Sequence, residues 1–128
     1  MKRNHLLIFS GLLLITLLTS THAAGSNWPS WRGPNGNGTS PEKNLPDKWT
    51  TTENVAWKID LPGAAGATPA IWENKIFVTS AAGNELVLLC ISTDGKILWK
   101  KPLAGGNKKI RNDEGNSAAP SPTTDGKH

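Results

Sequence analysis

A tryptophan-bearing heptapeptide occurs twice in the chain, 42 residues apart. Residues 55–61 read VAWKIDL and residues 97–103 read ILWKKPL, so both follow one frame of apolar-x-Trp-Lys-x-x-Leu. A repeat with a period of about forty residues is typical of propeller blades and solenoid units. One such unit cannot bury its apolar face alone, so its stability must come from packing against similar units. This period constrains the fold more than any other feature of the sequence.

The chain between and around these tryptophans is predicted to consist of consecutive strands. Apolar or β-branched runs separated by Gly, Asn and Asp indicate strands at residues 67–72, 75–80, 85–92 and 96–100, with a further strand at 55–61. Tight turns are expected at Glu73-Asn74 and over residues 81–84. The strand at 85–92 is apolar nearly throughout, which predicts a central strand covered on both faces. Asp94-Gly95 predicts a two-residue type I′ turn. We therefore expect an all-β, four-stranded, up-and-down antiparallel unit over residues 67–101.

A second similarity supports the repeat. Pro69 has a counterpart in Pro120, and the turn at residues 73–75 matches residues 125–127, at offsets of 51 and 52. We interpret the polar insertion at residues 104–116 as an inter-blade loop that accounts for the longer offset. Residues 117–128 are then the start of a next blade. Because one unit and a fraction cannot close a ring, we expect the sequence to be an N-terminal fragment.

The first 24 residues are predicted to form a secretory signal peptide. A basic start at Lys2 and Arg3 precedes an apolar stretch at residues 6–18 and small residues at Ala23 and Ala24. This stretch is shorter than the roughly 20 residues that a membrane span requires, so no transmembrane span is expected after cleavage. Export to the periplasm or the extracellular space follows. Cleavage lowers the formal net charge from +4 to about +2.

The remaining charges do not favour nucleic acid. Lys108, Lys109 and Arg111 form the densest basic cluster, and Asp113 and Glu114 follow them immediately. Proteins that bind nucleic acid carry a concentrated basic stripe, whereas this mixed cluster is typical of a solvated loop. No nucleic-acid partner is therefore expected.

The lead-in at residues 25–54 has no helical or strand periodicity. It is rich in Gly, Pro, Asn and Ser and carries Trp28, Trp31 and Trp49. Disordered segments are poor in aromatic residues, so we expect this irregular segment to pack on another part of the protein. For Trp28 and Trp31, a carbohydrate-stacking role is the alternative to packing.

The sequence provides no catalytic constellation. His5 and His22 lie in the predicted signal peptide and His128 is the last residue, so no Ser-His-Asp or Cys-His site and no histidine-rich metal site is expected after cleavage. Cys90 is the single cysteine, which excludes a disulfide within the chain and predicts a small buried apolar side chain. The carboxylates are dispersed next to turns. We assign no catalytic and no metal-binding residue.

Residues 91–99, ISTDGKILW, resemble the repeat of the pyrroloquinoline-quinone-like (PQQ-like) β-propellers, and residues 28–34, WPSWRGP, look like the lead-in of exported planctomycete-type members of that family. The resemblance implies four-stranded blades. It also implies that residues 55–61 form a closure strand of the final blade and that residues 67–103 form the first blade. Trp57 and Trp99 would then dock between neighbouring blades.

The resemblance leaves several functions open. A PQQ cofactor with calcium is possible by resemblance alone, but the chain lacks the adjacent cysteines of quinoprotein dehydrogenases, and its cofactor-binding residues are unknown. The leading hypothesis is an exported binding or scaffold module of the cell envelope, with envelope proteins or a small molecule as partner and a ligand surface at residues 61–66 and 104–116. The alternatives are a quinoprotein alcohol or sugar oxidoreductase, whose catalytic residues would lie beyond this fragment, and a carbohydrate-binding propeller.

Overall fold

A computed structural model describes residues 27–105 and 118–128. The predicted signal peptide and most of the polar insertion lie outside the described residues. Within the described residues the chain is all-β, with one four-stranded antiparallel sheet and no helix. The strands are β1 (Ala70–Trp72), β2 (Lys75–Ala82), β3 (Glu85–Ser92) and β4 (Ile97–Gly105), and their order in the sheet is their order in the chain. The prediction of a four-stranded up-and-down sheet is confirmed.

Two of the three hairpin turns are the predicted tight ones. Trp72 pairs with Lys75 across Glu73-Asn74, and Ala82 pairs with Glu85 across the second turn. Glu73 has a φ of 52°, which is rare for a side-chain-bearing residue. Its N–H donates a 2.6 Å hydrogen bond to Oδ1 of Asn27, so the lead-in helps to hold this turn.

The predicted type I′ turn at Asp94-Gly95 is wrong. Such a turn needs positive φ at both central residues, and of these two only Gly95 has it, at 86°. The N–H of Gly95 donates to the carbonyl of Ser92 at 2.9 Å, and the N–H of Ser92 donates to the carbonyl of Lys96 at 2.8 Å. This is a three-residue loop that ends in a left-handed glycine. Because the loop also includes Thr93, only Gly95 needs a positive φ and Asp94 does not. Glycine adopts that conformation without steric penalty.

The sheet has two differently composed faces. One, the aliphatic face, carries the buried cluster of Val78, Val87, Leu89 and Ile91. The other, the aromatic face, carries Phe77, Leu88, Cys90 and Trp99, where Cys90 stands between Phe77 and Trp99 in the strand register. Leu89 and Cys90 point to opposite faces and both are fully buried. The prediction that β3 is central and covered on both faces is therefore confirmed.

Residues 55–61 form no strand, which differs from the sequence-based prediction. Ile59 and Leu61 instead pack against the aliphatic face. The segment is fixed further by Gly63, whose N–H donates to Oγ of Ser80 at 3.2 Å and whose carbonyl lies 3.1 Å from the same hydroxyl. The apolar pattern that suggests a strand is thus used for packing on a face of the sheet.

Residues 118–128 also contain no strand, and they lie beside the aromatic face. The hydroxyl of Thr79 lies 3.0 Å from the carbonyl oxygen of Ala118 and 3.1 Å from that of Pro120. The N–H of Thr124 donates to the carbonyl of Pro29 at 3.0 Å. Both long segments therefore cover the sheet. In the stretches that the structure describes, no helix is long and apolar enough to cross a membrane.

The lead-in contacts the β1 edge of the sheet through one isolated bridge. The N–H of Trp28 donates to the carbonyl of Ile71 at 2.9 Å, and the N–H of Ile71 donates back at 2.8 Å. These two bonds pair backbone groups of the edge strand β1 that would otherwise face solvent. The lead-in is thereby attached to the sheet without forming a strand.

Candidate functional site

Three tryptophan rings lie directly against glycines of positive φ. Trp28 packs on Gly33, Trp57 on Gly95 and Trp72 on Gly126. A Cβ added to these glycines would stand 2.8, 2.8 and 2.5 Å, respectively, from the nearest ring atom. Glycine is therefore required at each of these positions for two reasons. It adopts the positive φ, and it leaves the space that the indole occupies.

Trp57 docks onto the β3–β4 turn. Its Nε1–H donates a 2.7 Å hydrogen bond to the carbonyl of Thr93, and its ring covers Gly95. The ring is 36% exposed, so about two thirds of it is buried by this contact and its neighbours. Trp57, the tryptophan of the first heptapeptide, thus connects residues 55–61 to the β3–β4 turn. This turn lies just before the second heptapeptide.

Trp99 is used differently from Trp57. Its ring centroid lies 6.0 Å from that of Phe77 at an interplanar angle of 46°, and Nζ of Lys101 lies 5.3 Å from the ring centroid. Tilted ring pairs and cations over indole faces are both favourable. Trp99 therefore contributes to the aromatic face instead of covering a turn.

A repeated turn sequence underlies two of the tryptophan contacts. Residues 93–96 and 124–127 both read TDGK, and the two glycines carry Trp57 and Trp72. The sequence-based prediction matched residues 125–127 with the turn at 73–75 and therefore missed the similarity to residues 93–96. The identical tetrapeptide could have revealed it. Asp125 Oδ1 accepts the N–H groups of Lys127 and His128, at 2.9 and 2.8 Å.

Each aspartate of the two turns is held in its ionised form. Nζ of Lys96 lies 2.7 Å from Oδ2 of Asp94, and the Ser92 hydroxyl also donates to this carboxylate. The hydrogen bond with Lys96, followed by that with Ser92, lowers the pKa of Asp94. In the second turn the side-chain hydrogen bond with His128 is the largest cause that lowers the pKa of Asp125, to about 2. These carboxylates stabilise turns and are poorly suited to acid–base chemistry at neutral pH.

A cleft of about 390 Å³ lies between the aromatic face and residues 122–128. Phe77, Leu88 and Trp99 line it from the sheet. The opposite wall is polar and comes from a chain segment remote in sequence. Its members are Pro122, Thr123, Thr124, Gly126, Lys127 and His128.

Three lysines line this cleft, which we call the lysine cleft: Lys75, Lys101 and Lys127. His128 also lines it, and its Nδ1 lies 3.0 Å from Oδ2 of Asp125. Among the described residues, none of the three lysines forms an ion pair. The cleft therefore combines an aromatic wall with three lysine side chains.

Cys90 is adjacent to the cleft residues but is fully buried. Burial raises the pKa of its thiol, and the charge of Lys75 opposes that effect. The predicted burial of Cys90 is confirmed. A buried protonated thiol is a weak nucleophile, so this side chain contributes packing.

Of the two loops predicted to carry the ligand surface, the one at residues 61–66 does not line the lysine cleft. Residues 61–66 lie at the end of the segment that covers the aliphatic face, where the carbonyl of Ala64 accepts the N–H of Ala81 at 2.8 Å. Of residues 104–116, only Ala104 and Gly105, at the end of β4, are described. Within the described part of the chain, no group of three or more His, Cys, Asp or Glu residues could hold a metal ion.

The aromatic residues of the lead-in divide into packed and exposed. Trp28 is half-buried, whereas Trp31 is 65% exposed and has the Arg32 guanidinium 5.3 Å from its ring centroid. A second cleft of about 380 Å³ is lined by Trp28, Glu42 and Glu73 together with other residues. No family model, curated protein or solved structure matches the chain.

Proposed function

We propose that this chain belongs to a PQQ-like β-propeller that acts as a binding or scaffold module in the cell envelope. The docking of Trp57 on the Thr93-Asp94-Gly95 turn carries the proposal. An indole that joins one segment of the repeat to the turn of a four-stranded sheet is a means of fixing successive units to each other. Blades of a propeller are stabilised by such contacts between neighbours.

The outer strand supports packing against further units or partners. β4 has the exposed apolar side chains Ile97, Leu98 and Leu103, of which Leu98 is 49% exposed. Exposed apolar side chains along an edge strand are a feature of surfaces that become covered by protein. A stacking neighbour or an envelope protein would bury them.

The proposed export can be tested with a reporter that is active only outside the cytoplasm. Residues 1–30 are fused to alkaline phosphatase, and a matched fusion carries residues 25–30 alone. We expect activity only from the longer fusion, because the basic start and apolar stretch direct secretion. Equal activity from both fusions, or none from either, contradicts export.

The binding role can be tested by site-specific photo-crosslinking in the native cell. p-Benzoylphenylalanine replaces Leu98 on the exposed strand and, in a control, Lys43 in the exposed lead-in. We expect one envelope protein crosslinked from position 98 and absent from the control. Failure to obtain a position-specific adduct argues against a scaffold role.

The purified full-length gene product distinguishes a binding module from a quinoprotein, whose catalytic residues would lie beyond this fragment. It is incubated with PQQ and Ca²⁺, and reduction of an artificial electron acceptor is followed with alcohols and sugars. The proposal expects no rate above that of the cofactor without protein. A protein-dependent, PQQ-dependent rate establishes the oxidoreductase alternative and refutes the scaffold role.

Carbohydrate binding is a second candidate because Trp31 exposes most of its ring. Exposed indoles stack on the apolar faces of sugar rings. The test compares the wild-type chain with Trp31→Ala on a glycan array, with Trp49→Ala as a matched exposed control. Binding that disappears only in the first variant supports the candidate, and the absence of glycan binding removes it.

A further inference from the structure

We infer that a cleft between the lead-in and the end of the sheet binds a small organic cation with an apolar stem, such as an alkylammonium ion. The inference deepens the binding role proposed above by naming a site and its ligand chemistry. The cleft, which we call the lead-in cleft, has a volume of about 380 Å³ and shares no lining residue with the lysine cleft. Its lining residues are Trp28, Ser40, Glu42, Leu45, Ile71, Glu73 and Thr93.

The lead-in cleft lies at one end of the sheet and not on either of its faces. The β1–β2 and β3–β4 turns meet at this end, where the N–H of Thr93 donates to the carbonyl of Asn74 at 3.1 Å. The chain before the sheet is fixed to both turns, because Asn27 accepts the N–H of Glu73 and Trp57 donates to the carbonyl of Thr93. Units that stack on the two faces of the sheet therefore do not occupy this cleft.

The charge at the lead-in cleft selects a cation. Glu42 and Glu73 line it, whereas no lysine, arginine or histidine among the described residues does. The carboxylate of Glu73 forms no ion pair within the described part of the chain. The lysines of the two turns act elsewhere, because Lys75 lines the lysine cleft and Lys96 lies 2.7 Å from Asp94. The lysine that follows Glu42 is exposed and does not line the cleft. A concave surface of one sign concentrates the opposite charge.

The walls of the lead-in cleft select an apolar stem beside that charge. Trp28, Leu45 and Ile71 supply an indole and two aliphatic side chains. An organic ammonium group is attracted to an indole face as well as to carboxylates, and its alkyl stem can cover apolar surface. The volume of about 380 Å³ is at the lower end of the range for small-molecule sites, which is roughly 300–1,000 Å³. The cleft therefore suits a small amine better than a bare metal ion.

The experiment titrates the full chain with hexylammonium and with its neutral counterpart 1-hexanol, and follows binding by ligand-observed saturation-transfer NMR. We expect hexylammonium to bind at least about fivefold more tightly, because only the ammonium group interacts with the carboxylates and the indole face. Ca²⁺ is added in competition and should not displace hexylammonium at equal concentration, since it has no stem to bury. Equal binding of 1-hexanol, or displacement by equimolar Ca²⁺, overturns the inference.

Variants then place the binding in the lead-in cleft. Glu73→Gln is expected to weaken hexylammonium binding about two- to fivefold, since exposed charge pairs contribute modestly. The double variant with Glu42→Gln should bind hexylammonium no better than 1-hexanol. Glu53→Gln is the matched control, because Glu53 is an exposed carboxylate of the lead-in that does not line the cleft. Circular dichroism verifies that each variant is folded. Unchanged affinity in the double variant refutes the site.

The outcome is separable from that of the scaffold proposal. Absence of hexylammonium binding removes the ligand site and leaves the crosslink from position 98 as an independent result. Conversely, hexylammonium binding that depends on Glu42 and Glu73 stands even where no envelope protein is crosslinked.

Discussion

Replacing Gly95 by alanine tests the contact on which the proposed architecture depends. Gly95 has a φ of 86°, and a Cβ there would lie 2.8 Å from the ring of Trp57. Gly83 is the matched control, because its φ is 60° and a Cβ there meets nothing within 4 Å. Both substitutions place an L-residue in the left-handed region, but only Gly95→Ala also displaces an indole.

The expected difference follows from the buried surface of Trp57. A left-handed alanine costs about 1–2 kcal/mol, offset by about 0.4–1 kcal/mol from the stiffer unfolded chain, so Gly83→Ala should cost about 1 kcal/mol. With the side chain 36% exposed, roughly 160 Å² of Trp57 is buried, which stabilises by up to about 4 kcal/mol. Displacing the ring by about 1 Å loses roughly half of this. Gly95→Ala should therefore cost about 3 kcal/mol.

Urea denaturation followed by far-UV circular dichroism measures both free energies of unfolding. Trp57→Ala and the double variant with Gly95→Ala complete a double-mutant cycle. Once the indole is absent, Gly95→Ala should cost only about 1 kcal/mol, which gives a coupling energy of about 2 kcal/mol. Equal costs for Gly95→Ala and Gly83→Ala, or additivity in the cycle, would show that the docking does not stabilise the sheet.

Three further perturbations test other parts of the structure. Thr79→Val removes the hydroxyl that bonds residues 118–120, and we expect a loss of about 1–2 kcal/mol in unfolding free energy and faster proteolysis of that segment. Hydrogen bonding to Lys96 lowers the pKa of Asp94 from its ordinary value of 3.8. The ionised Asp94 therefore stabilises the fold fully above pH 3.8, and this stabilisation is lost as the pH falls through the lowered pKa. Thermal unfolding between pH 2 and 6 should show a smaller acid-side loss in Asp94→Asn than in the wild type, because the variant keeps Asp125, whose pKa is also lowered. Cys90 should react with Ellman's reagent at least about 100-fold more slowly in the native chain than in guanidinium, because exposure requires unfolding.

Controls and contradicting outcomes can be stated for these three predictions. Thr79→Ser retains the hydroxyl and should keep residues 118–128 protected. For the pH series, Asp47→Asn removes a carboxylate in the lead-in and should leave the acid-side loss unchanged. Immediate labelling of Cys90 in the native chain, or an unaltered acid profile in Asp94→Asn, would contradict the corresponding prediction.

Strand positions were largely predictable because their signals are local. β2 and β3 follow from apolar and β-branched runs bounded by turn residues, and the structure begins and ends β3 at the predicted residues. The β3–β4 turn was predicted in position but not in type, since the number of loop residues depends on how the two strands align. Burial of Cys90 followed from its apolar neighbours.

The candidate site could not be predicted, because it is made of contacts remote in sequence. Nothing in the order of residues indicates that Lys75, Lys101 and Lys127 line one cleft, or that residues 55–61 cover a face of the sheet instead of pairing at an edge. The sequence by itself determined the alternation that forms four strands and the glycines that permit their turns, because those preferences act over a few neighbouring residues. Only the tertiary structure decided which indole packs on which glycine and which lysines line one cleft. These contacts join segments that are far apart in sequence and that bury apolar surface against each other.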